Sequence, residues 1–133
     1  MKISAKTEYA CIALMDLAAR QSSSEPVRIG KIAERYGLSE RFLVQILLQL
    51  KEADIVESTR GASGGYRLKK KPEEVTLLQV MNVIDPPPRG KRASDSHAST
   101  VLHRVFVSAE RPRQDYLNGV TLADLVRNAG LDD

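Results

Sequence analysis

The chain has 133 residues, 42% of them hydrophobic and 5% aromatic, with one cysteine and no tryptophan; this predicts one domain with an aliphatic core and excludes a disulfide framework. The formal net charge is +3 and unevenly placed, since residues 1–92 carry 16 Lys/Arg against 11 Asp/Glu and residues 93–133 carry 4 against 6. The excess of basic residues in the N-terminal segment 1–92 suggests a polyanionic partner such as nucleic acid.

The first fifty residues predict three helices. Residues 4–20 repeat apolar side chains at helical spacing after Ser4, a predicted N-cap. Their interspersed polar residues exclude a signal peptide or a membrane span, so a cytoplasmic protein is expected. A short helix that Gly37 is placed to end comes next, and Ser39 is placed to cap the following one. Two short helices joined by a tight glycine turn indicate a helix-turn-helix.

The stretch RGASGGYRLKKK at residues 60–71 predicts a β-hairpin with its glycines in the turn. Ile55 and Val56 start the first strand, and Tyr66 and Leu68 share one face of the return strand. A helix, a helix-turn-helix and a hairpin occur in this order in a winged helix.

The second half predicts a helix capped by Thr76 and ended by Pro86, followed by a flexible loop rich in proline, serine and basic residues. From residue 99 an apolar stripe predicts a long helix that must pack on another surface. Its members are Val101, Leu102, Val105, Phe106 and Ala109. Pro112 is expected to interrupt or kink this helix, and Thr121 to cap a last short one.

The exposed face of the third helix carries Arg41, Gln45, Leu48 and Gln49, and Arg and Gln can recognise guanine and adenine edges in a major groove. In the hairpin, glycines allow close backbone approach to a phosphate, and lysines attract phosphates whatever the sequence. The candidate DNA-contacting residues are Ser39, Arg41, Gln45, Gln49, Arg60, Ser63, Gly64, Gly65, Tyr66, Lys69 and Lys70. The alternative is a solvated helix face and a solvated hairpin without a ligand.

Catalytic and metal sites find little support in the sequence. Cys11 lies among apolar residues of the first helix and is expected to fill the core. His97 and His103 have no cysteine at a metal-binding spacing, and the glycines do not match a Walker loop. No enzyme activity, cofactor or metal site is therefore predicted.

Four segments together resemble the Rrf-two family (IscR/NsrR-type) of bacterial winged-helix transcriptional regulators: MKISAKTEYA, IAERYGLSERFLVQILLQL, RGASGGYRL and VTLADLV. The resemblance implies a mainly α fold with a small β wing, a winged helix-turn-helix plus a long C-terminal dimerisation helix. It implies a homodimer on a near-palindromic operator, with Ser39, Arg41 and Gln45 on the recognition helix and Arg60, Gly64 and Gly65 on the wing. The predicted segments are a DNA-binding domain at 1–85, a flexible loop at 86–98, and the dimerisation helix with a short helix at 99–133.

The sequence departs from the family in the loop corresponding to 86–100, where many members carry three cysteines that ligate an iron–sulfur cluster and this sequence has none. His103 falls where some members place a histidine ligand, but one imidazole without thiolates makes a poor cluster site. Val44 occupies a recognition-helix position that can be acidic in the family. The predicted function is thus a cluster-free homodimeric repressor that binds a double-stranded DNA operator. The signal is left open between a small-molecule effector, a protein effector and no effector. The alternative is a winged-helix protein-interaction module that has lost DNA binding.

Overall fold

The computed structural model describes residues 3–87 and 92–131. Its main elements are α1 Ala5–Ala19, α2 Ile29–Tyr36, α3 Glu40–Glu52, β1 Val56–Thr59, β2 Gly65–Leu68, α4 Leu77–Ile84, α5 His97–Asn118 and α6 Leu122–Ala129. The predicted fold class, mainly α with a small β wing, is confirmed. The predicted segments also include residues 1–2, 88–91 and 132–133, which lie outside the described residues.

The predicted N-cap residues are confirmed, because each side-chain hydroxyl accepts a hydrogen bond from the backbone N–H three residues later. The pairs are Ser4 with Thr7, Ser39 with Phe42, Thr76 with Gln79 and Thr121 with Asp124. At Thr121 the Asp124 carboxylate also accepts from the Thr121 N–H at 3.0 Å, which completes a capping box. These local bonds explain why the helix starts could be predicted from single residues.

The helix-turn-helix consists of α2 and α3. Gly37 ends α2 in the left-handed conformation, with φ of 66°, as predicted. The Leu38 N–H then donates to the Ala33 carbonyl at 2.9 Å, which closes the turn before Ser39 starts α3. The predicted apolar face of α3 is fully buried and packs against α1, α2 and α4. Its members are Leu43, Ile46, Leu47 and Leu50.

The wing is the antiparallel pair β1–β2, in register from Val56 opposite Leu68 to Thr59 opposite Gly65. Ile55 lies just before β1 instead of starting it, and its carbonyl accepts from the Lys69 N–H at 2.9 Å. Val27, in the loop before α2, pairs with Tyr66 through two backbone hydrogen bonds of 2.7 and 2.9 Å. The β2 edge of the wing is therefore tied to the segment that leads into the helix-turn-helix.

The long helix α5 begins at His97, the start that the family resemblance implies, because the Ser96 hydroxyl caps it by accepting from the Ser99 N–H at 3.2 Å. It also continues through Pro112, so the predicted interruption is wrong. Ser108 and Pro112 are both exposed, and water can therefore take the hydrogen bond that the proline does not donate. In the described residues, no helix has the length and apolar character needed to cross a membrane.

The last helix, α6, packs on α1 instead of extending from α5. The Leu77 N–H donates to the Val120 carbonyl at 2.8 Å and the Leu122 N–H to the Val75 carbonyl at 2.9 Å, so the segments leading into α4 and α6 run side by side. Leu122 is fully buried in the core that α1 and α3 form. The prediction that groups α6 with the dimerisation helix in 99–133 stays a prediction.

A buried carboxylate joins α1 to α2. Asp16 is 0% exposed, and its two oxygens accept from the Arg35 guanidinium at 2.6 and 2.7 Å. Asp16 Oδ1 also accepts from the Tyr36 hydroxyl at 2.7 Å and from the Arg20 guanidinium at 3.3 Å. Burial, together with the hydrogen bond to Asp16, raises the pKa of Tyr36. The cluster fixes the end of α2 against the last turn of α1.

Candidate nucleic-acid interface

The solvent-facing side of α3 carries four exposed side chains: Arg41, Val44, Gln45 and Leu48. They follow the spacing i, i+3, i+4, i+7 and lie on the side of the helix opposite Leu43 and Leu50. Gln49 is only half-exposed and lies at the edge of this face. Ser39 is exposed at its start, but its hydroxyl oxygen already accepts from the Phe42 N–H at 3.2 Å.

The wing glycines allow the chain to approach its own backbone. A Cβ on Gly65 would lie 2.5 Å from the Val27 carbonyl oxygen, and one on Gly64 would lie 2.3 Å from that of Thr59. Gly64 is buried. Both positions therefore require glycine for packing within the protein, and the prediction that Gly64 and Gly65 contact DNA stays a prediction. Gly61, at φ of 104° with no atom near its added Cβ, is the glycine at the open tip.

Gly65→Ala is expected to lower the free energy of unfolding by about 2–3 kcal/mol, because the methyl group would force β2 away from Val27. Chemical denaturation followed by circular dichroism measures this loss. Gly30→Ala is the matched control, since a Cβ there would meet only the Glu40 side chain at 3.7 Å. Equal midpoints for both variants would contradict a backbone contact at Gly65.

The charged residues of the hairpin divide between its two ends. Arg60 and Ser63 are exposed at the turn, whereas Lys69 and Lys70 follow β2 at the base. Lys69 forms an ion pair with Asp54 at 3.0 Å, and both side chains are exposed. Arg67 donates to the carbonyl oxygens of Ser23, at 2.9 Å, and Ser24, so it anchors the loop between α1 and α2. The structure thus brings Arg60 and Ser63 together but separates them from the lysines by the length of β2.

A groove of about 640 Å³, here called the wing groove, lies between the wing and the starts of α2 and α3. Arg60 lines it from the wing, and Arg28 and Lys31 line it from α2. Neither Arg28 nor Lys31 is among the candidate DNA-contacting residues predicted from the sequence. Their signal was the segment RIGK, which places two basic side chains three positions apart at a helix start. Glu34 and Glu40 also line the groove, so its charge is mixed.

Basic side chains also line the opposite flank of the wing, together with Glu25. A second groove, of about 610 Å³, is lined by Arg28, Lys31 and Arg35 from α2 and by Ser63 and Gly64 from the hairpin. Arg28 and Lys31 therefore lie between the two grooves and are exposed to both. Positive charge on both sides of a protruding hairpin suits a strand of phosphates on each side.

A helix-turn-helix with an exposed recognition face, followed by a basic wing, defines a winged-helix DNA-binding transcriptional regulator. The sequence model of one family, Rrf2, described as an iron-dependent transcriptional regulator, matches residues 3–128. The chain therefore belongs to the Rrf2 family, and the resemblance noted in the sequence is confirmed.

Relatives and solved structures agree with this assignment. The transcriptional regulator IscR of Erwinia tasmaniensis is 31% identical over 133 residues, which cover 96% of this chain and 80% of its own length. The structure of T. potens IscR is 34% identical with a TM-score of 0.74 and covers 97% of this chain and 88% of that one. The structure of CymR, the global cysteine regulator of B. subtilis, is 28% identical with a TM-score of 0.80. The match covers 96% of this chain and 98% of the CymR chain.

The residues of this chain do not fit the iron that the family description implies. Iron–sulfur clusters are held mainly by cysteine thiolates, and the sequence contains one cysteine, Cys11. Cys11 packs half-buried on α1, where burial and the neighbouring Glu8 raise the pKa of its thiol to about 11. Within residues 3–87 and 92–131, no three His, Cys, Asp or Glu side chains converge as metal ligands would. The chain is thus an Rrf2 member without the cluster cysteines.

Proposed function

We propose that the chain is a homodimeric repressor that acts in the cytoplasm and inserts α3 into the major groove of each operator half-site. The supporting observation is the position of the wing groove, whose wall includes Glu40 at the start of α3 and Arg60 on the wing. The exposed face of α3 and the basic wing therefore adjoin one another. A duplex lying along α3 would meet the wing with its neighbouring minor groove.

In this proposal the contacts divide by chemistry. Arg41 and Gln45 contact base edges, because their side chains can form two hydrogen bonds with guanine and adenine. Arg60 enters the minor groove, while Arg28 and Lys31 contact phosphates on either side. The other predicted contacts are Ser39, Gln49, Ser63, Gly64, Gly65, Tyr66, Lys69 and Lys70. Of these, Gly64 is buried, and a contact there would have to involve neighbouring backbone.

The homodimer is supported by the surface of α5. The predicted dimerisation residues are all exposed in the single chain: Val101, Leu102, Val105, Phe106 and Ala109. The exposed fractions of Leu102 and Phe106 are 58% and 66%. A continuous apolar stripe on a helix favours burial against another surface. A second copy of α5 provides that surface through a two-fold axis, and the same axis would relate two operator half-sites.

The proposal can be tested by selecting duplexes from a random library with the purified protein. The selected sites are expected to contain two inverted half-sites, and affinity is expected to fall steeply with salt. In transcription reactions with a promoter that overlaps the site, the protein is expected to reduce transcript formation. A protein-interaction module that has lost DNA binding would select no sequence and show no salt-dependent affinity. Transcription that rises with added protein would identify an activator.

Arg60→Ala is expected to weaken binding to the selected duplex by about 1–3 kcal/mol, because it removes a charged side chain from the wing groove. Fluorescence anisotropy titration at fixed salt measures the change. Arg104→Ala is the matched control, since Arg104 is also exposed but lies on α5, away from the wing. An Arg60 variant with unchanged affinity would remove this residue from the interface.

The proposed effector site is a cleft of about 1060 Å³ between the start of α1, α4 and α5. Apolar side chains such as Met81 and Phe106 line it together with Asp85 and His103. Hydrogen bonds from the hydroxyls of Ser4 and Thr7 lower the pKa of Asp85, so its carboxylate stays charged. A small molecule or a protein segment bound here would contact both the DNA-binding body and the proposed dimer helix. This proposal assigns the chain no catalytic activity.

A further inference from the structure

Two apolar side chains lie in the middle of the face that α3 presents to solvent. Val44 is 46% exposed and Leu48 is 50% exposed. Among the described residues, the other exposed large apolar side chains lie on α5 or at Ile3, so Val44 and Leu48 form a separate patch on the DNA-binding body. They are four residues apart, which makes them neighbours on one side of the helix.

Helical geometry places this pair opposite the core. Two residues correspond to a rotation of about 200° around an α-helix. Val44 lies two residues before Ile46, and Leu48 two residues before Leu50, and both of those residues are 0% exposed. Val44 and Leu48 therefore point directly away from the body, and no rearrangement of α3 short of unfolding could bury them within it.

We propose that Val44 and Leu48 make α3 selective for thymine, by packing against the 5-methyl groups that thymine presents in the major groove. This inference rests on the proposed function, in which α3 enters that groove. The patch is continuous with the exposed Arg41 and Gln45, whose polar groups suit purine edges. One face thus combines groups that suit purines with apolar groups that suit the methyl of thymine.

The pair also disfavours the other pyrimidine. Cytosine presents an amino group in the major groove, and an isobutyl or isopropyl side chain cannot accept its hydrogen bond. Covering that amino group would leave a donor without water or a partner. Discrimination would therefore come both from apolar contact with thymine and from the desolvated donor of cytosine. Four residues of helix rise by about 6 Å, which spans about two base steps.

The test replaces single thymines of the selected duplex by deoxyuridine, which removes only the methyl group and keeps base pairing. With the unchanged protein, one or two thymines in each half-site are expected to show an affinity loss of about fourfold, the factor for one buried methyl group. With Leu48→Ala or Val44→Ala, the loss at the matching thymine is expected to disappear. Gln45→Ala is the control: it lowers affinity but leaves the deoxyuridine losses in place.

The outcomes separate this inference from the function on which it rests. Failure to select any sequence overturns both the proposed function and the thymine contact. Selective binding with no deoxyuridine loss in the half-sites, or with losses that persist in both alanine variants, overturns the thymine contact alone. Selected half-sites that contain no thymine would also overturn the thymine contact alone. Both alanine variants replace exposed side chains, and unchanged denaturation midpoints would verify that they fold.

Discussion

Asp16→Ala is expected to lower the free energy of unfolding by about 3 kcal/mol, because it removes the acceptor of a buried ion pair. Both oxygens of Asp16 accept from Arg35, and the Tyr36 hydroxyl donates to one of them at 2.7 Å. Without the carboxylate, the Arg35 guanidinium and the Tyr36 hydroxyl lose their partner at the junction of α1 and α2. About one third of the Arg35 side chain is exposed, and water can compensate only that part.

Thermal and urea denaturation of the variant measure this loss. Asp115→Ala is the matched control, because Asp115 is an exposed carboxylate on α5 and its loss is expected to change stability by less than about 0.5 kcal/mol. Asp16→Asn separates shape from charge, since it keeps the volume but weakens the bonds to Arg35. If Asp16→Ala were as stable as Asp115→Ala, the cluster would contribute nothing to holding α2 on α1.

The parts of the fold that depend on neighbouring residues were predictable from the sequence. An N-cap bond spans three residues, and Ser4, Ser39 and Thr76 therefore mark helix starts without knowledge of the rest of the fold. Gly37 marks the turn of the helix-turn-helix for a similar reason, because few residues other than glycine tolerate its positive φ. The apolar face of α3 followed from its periodicity alone.

The features that were missed depend on residues distant in sequence. Asp16 interrupts an apolar helix, and nothing near it shows that Arg35 and Tyr36 will surround it. The packing role of Gly65 was also missed, because the sequence does not show that the Val27 carbonyl oxygen lies 2.5 Å from an added Cβ on Gly65. In the same way, Arg28 and Lys31 join the wing groove only once the hairpin folds back on α2.

The second large effect is expected at the exposed stripe of α5. Leu102→Glu should raise the dissociation constant of the proposed dimer by about a hundredfold or more, because a two-fold axis would bury two unpaired carboxylates at the interface. Leu102 is 58% exposed in the single chain, so its substitution should leave the monomer folded. Sedimentation velocity over a concentration series measures the dissociation, and circular dichroism measures the fold.

Arg111→Gln is the control for this change, because it lowers the net charge by the same amount without altering the stripe. Arg111 is exposed and lies nine residues after Leu102, which is two and a half helical turns and thus the opposite side of α5. A Leu102→Glu variant that stays dimeric would exclude this stripe as the interface. A monomeric variant is also expected to bind the two-half-site duplex no more tightly than a single half-site. The simultaneous loss of dimer and operator affinity would show that α5 couples two copies of α3 on the DNA.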